Sequence, residues 1–252
     1  MQRYFVPKHN WNNEEITITG DDARHISVVM RYEKGDHVIC NQLEGKAAIC
    51  SILSLSNDTV HLKVVEWLNN SNELPVHVTI AQGLPKGNKI DFILQKGTEF
   101  GANQFCFFQA DRSIVKWDVK KSKQKIKRFE RIVKAASEQC HRNRLPVVSE
   151  PSVLEKLLEQ SKVYDIMLFA YEEEVHSERY HSFAERLSKV SEGDKIIVFI
   201  GPEGGFSQKE VEILKLNGVL PVRLGPRILR TESASLYALA SISYHFEELG
   251  CK

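Results

Sequence analysis

Lys195-Ile196-Ile197-Val198-Phe199-Ile200 runs directly into Gly201-Pro202-Glu203-Gly204-Gly205-Phe206-Ser207, and the chain continues as QKEVEILKLNG to Gly218. An apolar run bounded by turn residues reads as a buried strand, and the segment behind the turn reads as a helix. Three glycines between a strand and a helix either bring backbone close to a ligand or close a tight turn. The loop has no G-x-x-x-x-G-K-[ST] pattern, and Gly87 in LPKGNK lacks the partners that would make one elsewhere. Its own spacing is G-x-x-G-G rather than G-x-G-x-x-G, and Glu203 stands where a phosphate would be repelled. Ser207 and Glu210 form S-x-x-E, a capping box that satisfies the helix N-terminus from within and leaves fewer donors for an anion. A phosphate cradle is therefore not expected, and a self-capped structural turn remains open.

Outward from this turn the same rhythm repeats. Strand-like runs at residues 76–82, 104–109, 164–170, 195–200 and 219–224 alternate with helical stretches. The helices are expected in GNKIDFILQKGTEFG, in a basic segment after it, and near residues 151–160, 176–189, 207–217 and 231–249. Apolar strands alternating with helices predict an α/β domain, a parallel sheet covered on both faces. Residues 1–68 differ, with short β-branched runs (RYFV, ITIT, HVICNQ, KAAICSILSLS, TVHLKVVEWL) and one short helix from Asp21, the expected N-cap, to about Met30. They predict a small β-barrel at 1–70. The polar, proline-ended stretch 69–75 is the expected linker to a second domain at 75–252.

Composition narrows the class. The 252 residues, 42% apolar and 27% charged, suit a globular protein. No leader-like or membrane-spanning run is evident, so a cytoplasmic location with no membrane partner is expected. The five cysteines are scattered without metal-ligand spacing, so neither a disulfide framework nor a metal site is expected. The near-neutral net charge of +1 hides an asymmetry. Arg112 to Arg144 holds twelve Lys or Arg against three acids, hence +9, and the remainder carries −8. Within it Ile126, Phe129, Val133, Ala136 and Cys140 recur at helical spacing, predicting a helix with a core stripe and a basic face suited to a polyanion. A solvated charged face is the plainer alternative.

Ligands of parallel sheets gather where strands end and loops enter helices. Three such ends carry suitable chemistry: Tyr171-Glu172-Glu173-Glu174, Gly201 to Gly205, and Leu224-Gly225-Pro226-Arg227-Ile228-Leu229-Arg230-Thr231-Glu232, which continues to Ser235. The last is apolar enough to be expected buried, and its backbone groups then need partners. An adenine ring would meet them. So would a simple helix start with Thr231 as cap and Leu229 as anchor, and the two are compatible.

GPEGGFSQKE followed by LGPRILRTESAS, with QKGTEFG upstream and MQRYFV…ARHISVVMR at the start, resembles the RsmE family, the ribosomal RNA small subunit methyltransferases E, within the SPOUT superfamily. Ser233 stands where that family more often carries Thr. The resemblance covers nearly the whole chain. It implies a PUA-like N-terminal barrel, a C-terminal SPOUT-type parallel sheet with a trefoil knot, a homodimer, and S-adenosylmethionine as methyl donor. The implied reaction is methylation of N3 of one uridine in 16S ribosomal RNA, with the RNA or the small ribosomal subunit as partner. Carried over onto this sequence, Leu168, Ala170, Ile200, Gly201, Gly205, Leu224, Gly225, Ile228, Leu229 and Thr231 are the expected cofactor contacts. Arg230, as a cation, and Glu232, as a base, are the catalytic candidates, although a residue of a partner subunit could serve as the base instead and Arg230 serves equally well as an ion-pair partner of Glu203 or Glu232. Arg3, Arg24, Arg31, Arg112, Arg142 and Arg144 are the expected RNA contacts. A SPOUT enzyme acting on another RNA and a non-catalytic assembly factor remain the rival readings.

Overall fold

The computed structural model describes residues 1–115, 117, 119–172 and 182–250. The chain divides into two compact units, Met1–Glu73 with Lys134–Leu145, and Leu74–Val133 with Pro146–Lys252.

In the first unit, strands β1 (Arg3–Val6), β2 (Trp11–Asn12) and β3 (Glu15–Thr19) precede helix α1 (Asp21–Arg24), and β4 (His37–Gln42), β5 (Ala47–Leu55) and β6 (Thr59–Leu68) follow. They form one curled sheet in the order β1-β4-β5-β6-β3-β2, with β1 parallel to β4 and the other pairs antiparallel. Among the described residues no ladder joins β1 to β2, so the expected barrel is a half-barrel. Alternation along β6 explains the curl's inside: Val60, Leu62 and Val64 are buried with Tyr4, Ile16, Ile18, Val38 and Ile52. Helix α1 runs on as a π-type turn through Val29, and its N-cap is Gly20 at φ 69°, with Asp21 one position inside.

The inclusion of Lys134–Leu145 in the first unit departs from the expected division of the chain. Glu73 explains it. Its carboxylate takes the Arg142 guanidinium at 2.5 Å and the backbone N–H groups of Asn143 (2.7 Å) and Arg144 (3.0 Å). Arg3 Nη1 and Asn41 Nδ2 donate to the Arg142 carbonyl at 2.9 and 3.2 Å.

The second unit contains β7 (His77–Gly83), α2 (Lys89–Glu99), β8 (Gln104–Gln109), α3 (Val119–Gln139, whose last residues belong to the first unit), β9 (Val147–Val148), β10 (Ser152–Val153) and α4 (Leu154–Gln160). It continues with β11 (Ile166–Ala170), α5 (Phe183–Leu187), β12 (Lys195–Ile200), α6 (Gln208–Leu216), β13 (Leu220–Val222) and α7 (Thr231–Ser243). The expected helix at 176–189 falls partly outside the described residues. The sheet is parallel throughout, in the order β10-β8-β7-β12-β11-β13 with β9 on β8.

Strand β12 shows why both faces are covered. Ile196, Val198 and Ile200 pack with Ile93 of α2 and Leu239 of α7. Ile197 and Phe199 face the other way, with Leu157 of α4 and Leu214 of α6. Each such fully buried side chain contributes roughly 1.5–3 kcal/mol. The chain passes from β11 to β12 on one side and then places β13 on the other side of β11, so the strand order reverses at the C-terminal ends of β11 and β12. Parallel sheets form their ligand crevices at such reversals.

Candidate active site

A cavity of about 420 Å³ opens at those strand ends. Its walls come from Ala170, Tyr171 and Glu172 after β11, Ile200 to Glu203 with Gly205 and Phe206 after β12, and Leu224 with Arg227 to Thr231 before α7. Lys89 and Ala234 complete the lining. The three loops singled out in the sequence therefore meet in one place.

The glycine loop is tightly constrained. Ser207 caps α6 by accepting from the Glu210 backbone N–H at 3.2 Å, and Glu210 Oε2 accepts from the Ser207 N–H at 2.7 Å, so the capping box is complete. Gly205 has φ 66°, and a Cβ there would stand 3.0 Å from Glu172 Oε1. A Cβ at Gly201 would meet Gly205 backbone at 3.1 Å and the Phe206 ring at 3.3 Å. Arg112 lies across the loop's outside, its Nη1 donating to the Gly204 carbonyl at 2.9 Å. Ser207 Oγ donates to Asp111 Oδ2 at 2.6 Å.

A buried relay ties this loop to two other elements. Ser235 Oγ donates to Gln82 Oε1 (2.6 Å), and Gln82 Nε2 donates to Thr231 Oγ1 (2.8 Å) and to the Gly83 carbonyl (2.8 Å). Thr231 Oγ1 in turn donates to the Gly201 carbonyl at 2.6 Å. The Thr231 hydroxyl is therefore committed to the glycine loop rather than to capping. The N-cap of α7 is Arg230, without a side-chain cap bond.

Three charged groups stand beside the relay. Lys89 Nζ lies 2.9 Å from Glu203 Oε1 and 3.1 Å from Glu232 Oε2. The Lys86 backbone N–H adds a bond to Glu203 Oε1 at 3.0 Å. Partial burial pushes the Glu203 carboxyl up, but hydrogen bonds from Lys89 and the Lys86 backbone outweigh it and hold the group below its ordinary value. The bond to Glu203 raises Lys89 above its ordinary value despite some desolvation. The two carboxylates that the sequence offered to Arg230, Glu203 and Glu232, are thus taken by Lys89. Among the described residues the Arg230 guanidinium, exposed at the cavity, makes no hydrogen bond or ion pair.

Of the expected cofactor contacts, Ala170, Ile200, Gly201, Gly205, Leu224, Ile228, Leu229 and Thr231 line the cavity. Leu168 is fully buried within β11, and neither it nor Gly225 is in the lining. Arg230 lines it, whereas Glu232 sits on the first turn of α7 outside the lining. The loop expected to be buried is open in its middle, with Ile228 67% exposed. Its apolar side chains wall a cavity rather than fill a core. Gln82 and Lys89 went unrecognised. A glutamine closing the apolar strand VHVTIAQ was the available signal for the first, while the second had none beyond its place in LPKGNK.

Two of the six arginines expected on RNA are interior. Arg3 and Arg142 are 4% and 2% exposed, and both are spent on the Glu73-centred packing of the first unit. Burial lowers the Arg3 pKa from its ordinary value. Arg24, Arg31, Arg112 and Arg144 are exposed. On α3 the stripe Ile126, Phe129, Val133 and Ala136 is buried, Cys140 just beyond is partly buried, and Lys123, Lys127, Arg128 and Arg131 face solvent. Arg128 pairs with Asp91 at 2.7 Å, and Lys125 lies over the Trp117 ring at 4.4 Å. Lys116, Asp118 and the side chains of Lys120 and Lys121 lie outside the described residues, as do Glu173, Glu174 and Cys251. Among the described residues no cluster of His, Cys, Asp and Glu could hold a metal, and no helix is long and apolar enough to cross a membrane.

A parallel sheet with an apolar, glycine-walled cavity at its strand reversal, joined to a curled β-unit, defines a class that comparison makes explicit. Residues 72–243 match the RNA methyltransferase domain model, and residues 18–65 match the RNA methyltransferase PUA domain model. The ribosomal RNA small subunit methyltransferase E of Bacillus subtilis is 44% identical over 252 residues, 99% of this chain and 98% of its own. This chain belongs to the ribosomal RNA small subunit methyltransferase E family. A crystal structure of that methyltransferase from Neisseria gonorrhoeae, bound to S-adenosyl methionine, superposes with a TM-score of 0.85 at 25% identity, covering 97% of this chain and 98% of its own. A methyltransferase from Legionella pneumophila in complex with the cofactor SAM gives 0.84 at 26%, covering 96% of this chain and 97% of its own.

Proposed function

We propose that this protein methylates N3 of one specific uridine in 16S ribosomal RNA. It is an RNA methyltransferase that acts on small-subunit ribosomal RNA with S-adenosylmethionine as donor. The single observation that carries the reading is the cavity where the loops after β11 and β12 meet the loop before α7.

The residues present fit the donor. Gly201 and Gly205 put bare backbone at one wall, and Ile200, Leu224, Ile228 and Leu229 supply apolar contact for a flat ring. When bound, the donor would supply a sulfonium methyl group, whose carbon a nucleophile attacks in line as the S–CH3 bond breaks and the neutral thioether leaves. Uracil N3 must lose its proton to become that nucleophile, and the anion spreads onto the ring oxygens. Arg230, exposed at the cavity and unpaired among the described residues, is the cation suited to stabilise that charge. Glu232 is held by Lys89 and is the weaker candidate for a base.

The RNA would meet the exposed Arg24, Arg31, Arg112 and Arg144 and the basic face of α3, with the target base leaving its stack to reach the cavity. A C-terminal trefoil knot is supported by the path of α7, which leaves the β13 edge of the sheet and returns to pack on α2, β7 and β12. A homodimer is supported by Tyr237 and Tyr244, two large rings left exposed on and just after α7. The protein would act in the cytoplasm, beside its ribosomal substrate.

The test is methyl transfer from labelled S-adenosylmethionine to small subunits and to free 16S RNA, with the nucleosides then separated. Label in 3-methyluridine supports the reading, and label in any other nucleoside overturns the N3 assignment.

A further inference from the structure

Lys89 opens α2, Glu203 belongs to the glycine loop, and Glu232 lies on the first turn of α7, yet their charged ends converge on one ammonium. Glu232 Oε2 is shut away from solvent, and the Lys89 ammonium is 3.1 Å from it. Arg230 is the N-cap of that same helix, two residues before Glu232, with its side chain in the cavity lining. An arginine beside an unclaimed carboxylate pairs with it readily, in bidentate geometry when it can. Lys89 claims both carboxylates, and the guanidinium is left without either.

We propose that Lys89 is a positioning residue: by occupying Glu203 and Glu232 it keeps the Arg230 guanidinium available to the base that is methylated. This deepens the proposed function and rests on the reading that Arg230 meets the substrate. The state of the Lys89–Glu203 pair agrees with it, since the bond between them holds the Glu203 carboxyl below and the Lys89 ammonium above its ordinary value, leaving both charged through the neutral range. Without the ammonium, two carboxylates would face each other near a guanidinium that is unpaired among the described residues. Pairing of Arg230 with Glu232 would relieve both and withdraw the cation from the reaction. Lys89 itself need not touch substrate.

A double-mutant cycle between Lys89 and Arg230, followed in kcat with saturating donor, tests this, with calorimetric binding of S-adenosylmethionine measured on every variant. Lys89→Met should lower kcat about tenfold or more while donor affinity stays within about threefold. Lys89→Gln, which retains donors but no charge, is carried in parallel and should behave alike if Lys89→Met folds poorly. Lys89→Arg, which preserves the ion pairs, should stay within about threefold of wild type. Adding Lys89→Met to Arg230→Gln should cost no more than about twofold beyond Arg230→Gln alone, because the first change acts through the second residue. Multiplicative losses, or wild-type kcat in both uncharged Lys89 variants, would overturn the proposal. If Arg230→Gln alone retains wild-type kcat, the reading of Arg230 on which the clamp rests is the part that fails.

Discussion

Thr231 Oγ1 donates a 2.6 Å hydrogen bond to the carbonyl of Gly201 and at the same time accepts one of 2.8 Å from Gln82. One hydroxyl therefore fixes the first turn of α7 against the ends of β12 and β7. Thr231→Val keeps the shape and removes the hydroxyl, leaving the Gly201 carbonyl and one Gln82 N–H unsatisfied in a buried place. The expected cost is about 1–3 kcal/mol of stability. Donor affinity should fall about tenfold or more as the glycine wall loosens. Thr231→Ser should retain most of both, with thermal melting and calorimetry as the readouts.

Gly205 cannot carry a branched side chain. At φ 66°, with Glu172 Oε1 3.0 Å from the Cβ position, Gly205→Val is strained and crowded on the cavity side. The backbone term alone is about 1–2 kcal/mol. The variant should lose measurable S-adenosylmethionine binding while unfolding cooperatively only a few degrees below wild type. Micromolar binding by this variant would argue against this wall of the cavity.

The pair Arg142–Glu73 predicts an effect in the other unit. Arg142→Met strands the Glu73 carboxylate, which is 12% exposed, without its guanidinium. Breaking a buried pair by removing one partner costs about 3–5 kcal/mol. Urea denaturation should show the first unit destabilised by that order, with donor binding unchanged. An RNA-contacting arginine would give the opposite pattern: unaltered stability and weakened RNA binding.

On α3, Lys123, Lys127 and Arg131 face solvent. If this face meets RNA phosphates, replacing all three by Gln should reduce the slope of log affinity against log salt by about 0.7–0.9 per lost contact. Filter binding to 16S RNA across a salt series checks it, and an unchanged slope would move the contact surface elsewhere.

What could be read in the sequence was what short-range physics controls. The two-faced burial of β12 follows from its own unbroken apolar run, and the capping box of α6 from residues three apart. The stripe of α3 was legible for the same reason. What could not be read depends on residues far apart in the chain. Gln82 and Thr231 are 149 residues apart, and Arg142 finds Glu73 at a separation of 69. Arginine reads by default as a surface residue, which placed Arg3 and Arg142 wrongly on an RNA-facing surface. Loop 224–231 read as buried because composition registers apolarity without distinguishing a core from the wall of a cavity. The half-barrel read as a barrel because period-two alternation is the same whether or not the end strands meet. Lys89 was missed since nothing in KGNK announces two carboxylates brought in by other loops.

Nucleoside mass spectrometry of 16S ribosomal RNA from cells lacking this protein tests the central claim most directly. The account predicts that 3-methyluridine disappears, that it returns when the wild-type gene is restored, and that it stays absent with the Gly205→Val form. Unchanged 3-methyluridine in the deletion strain would contradict the assignment of this chain to that uridine.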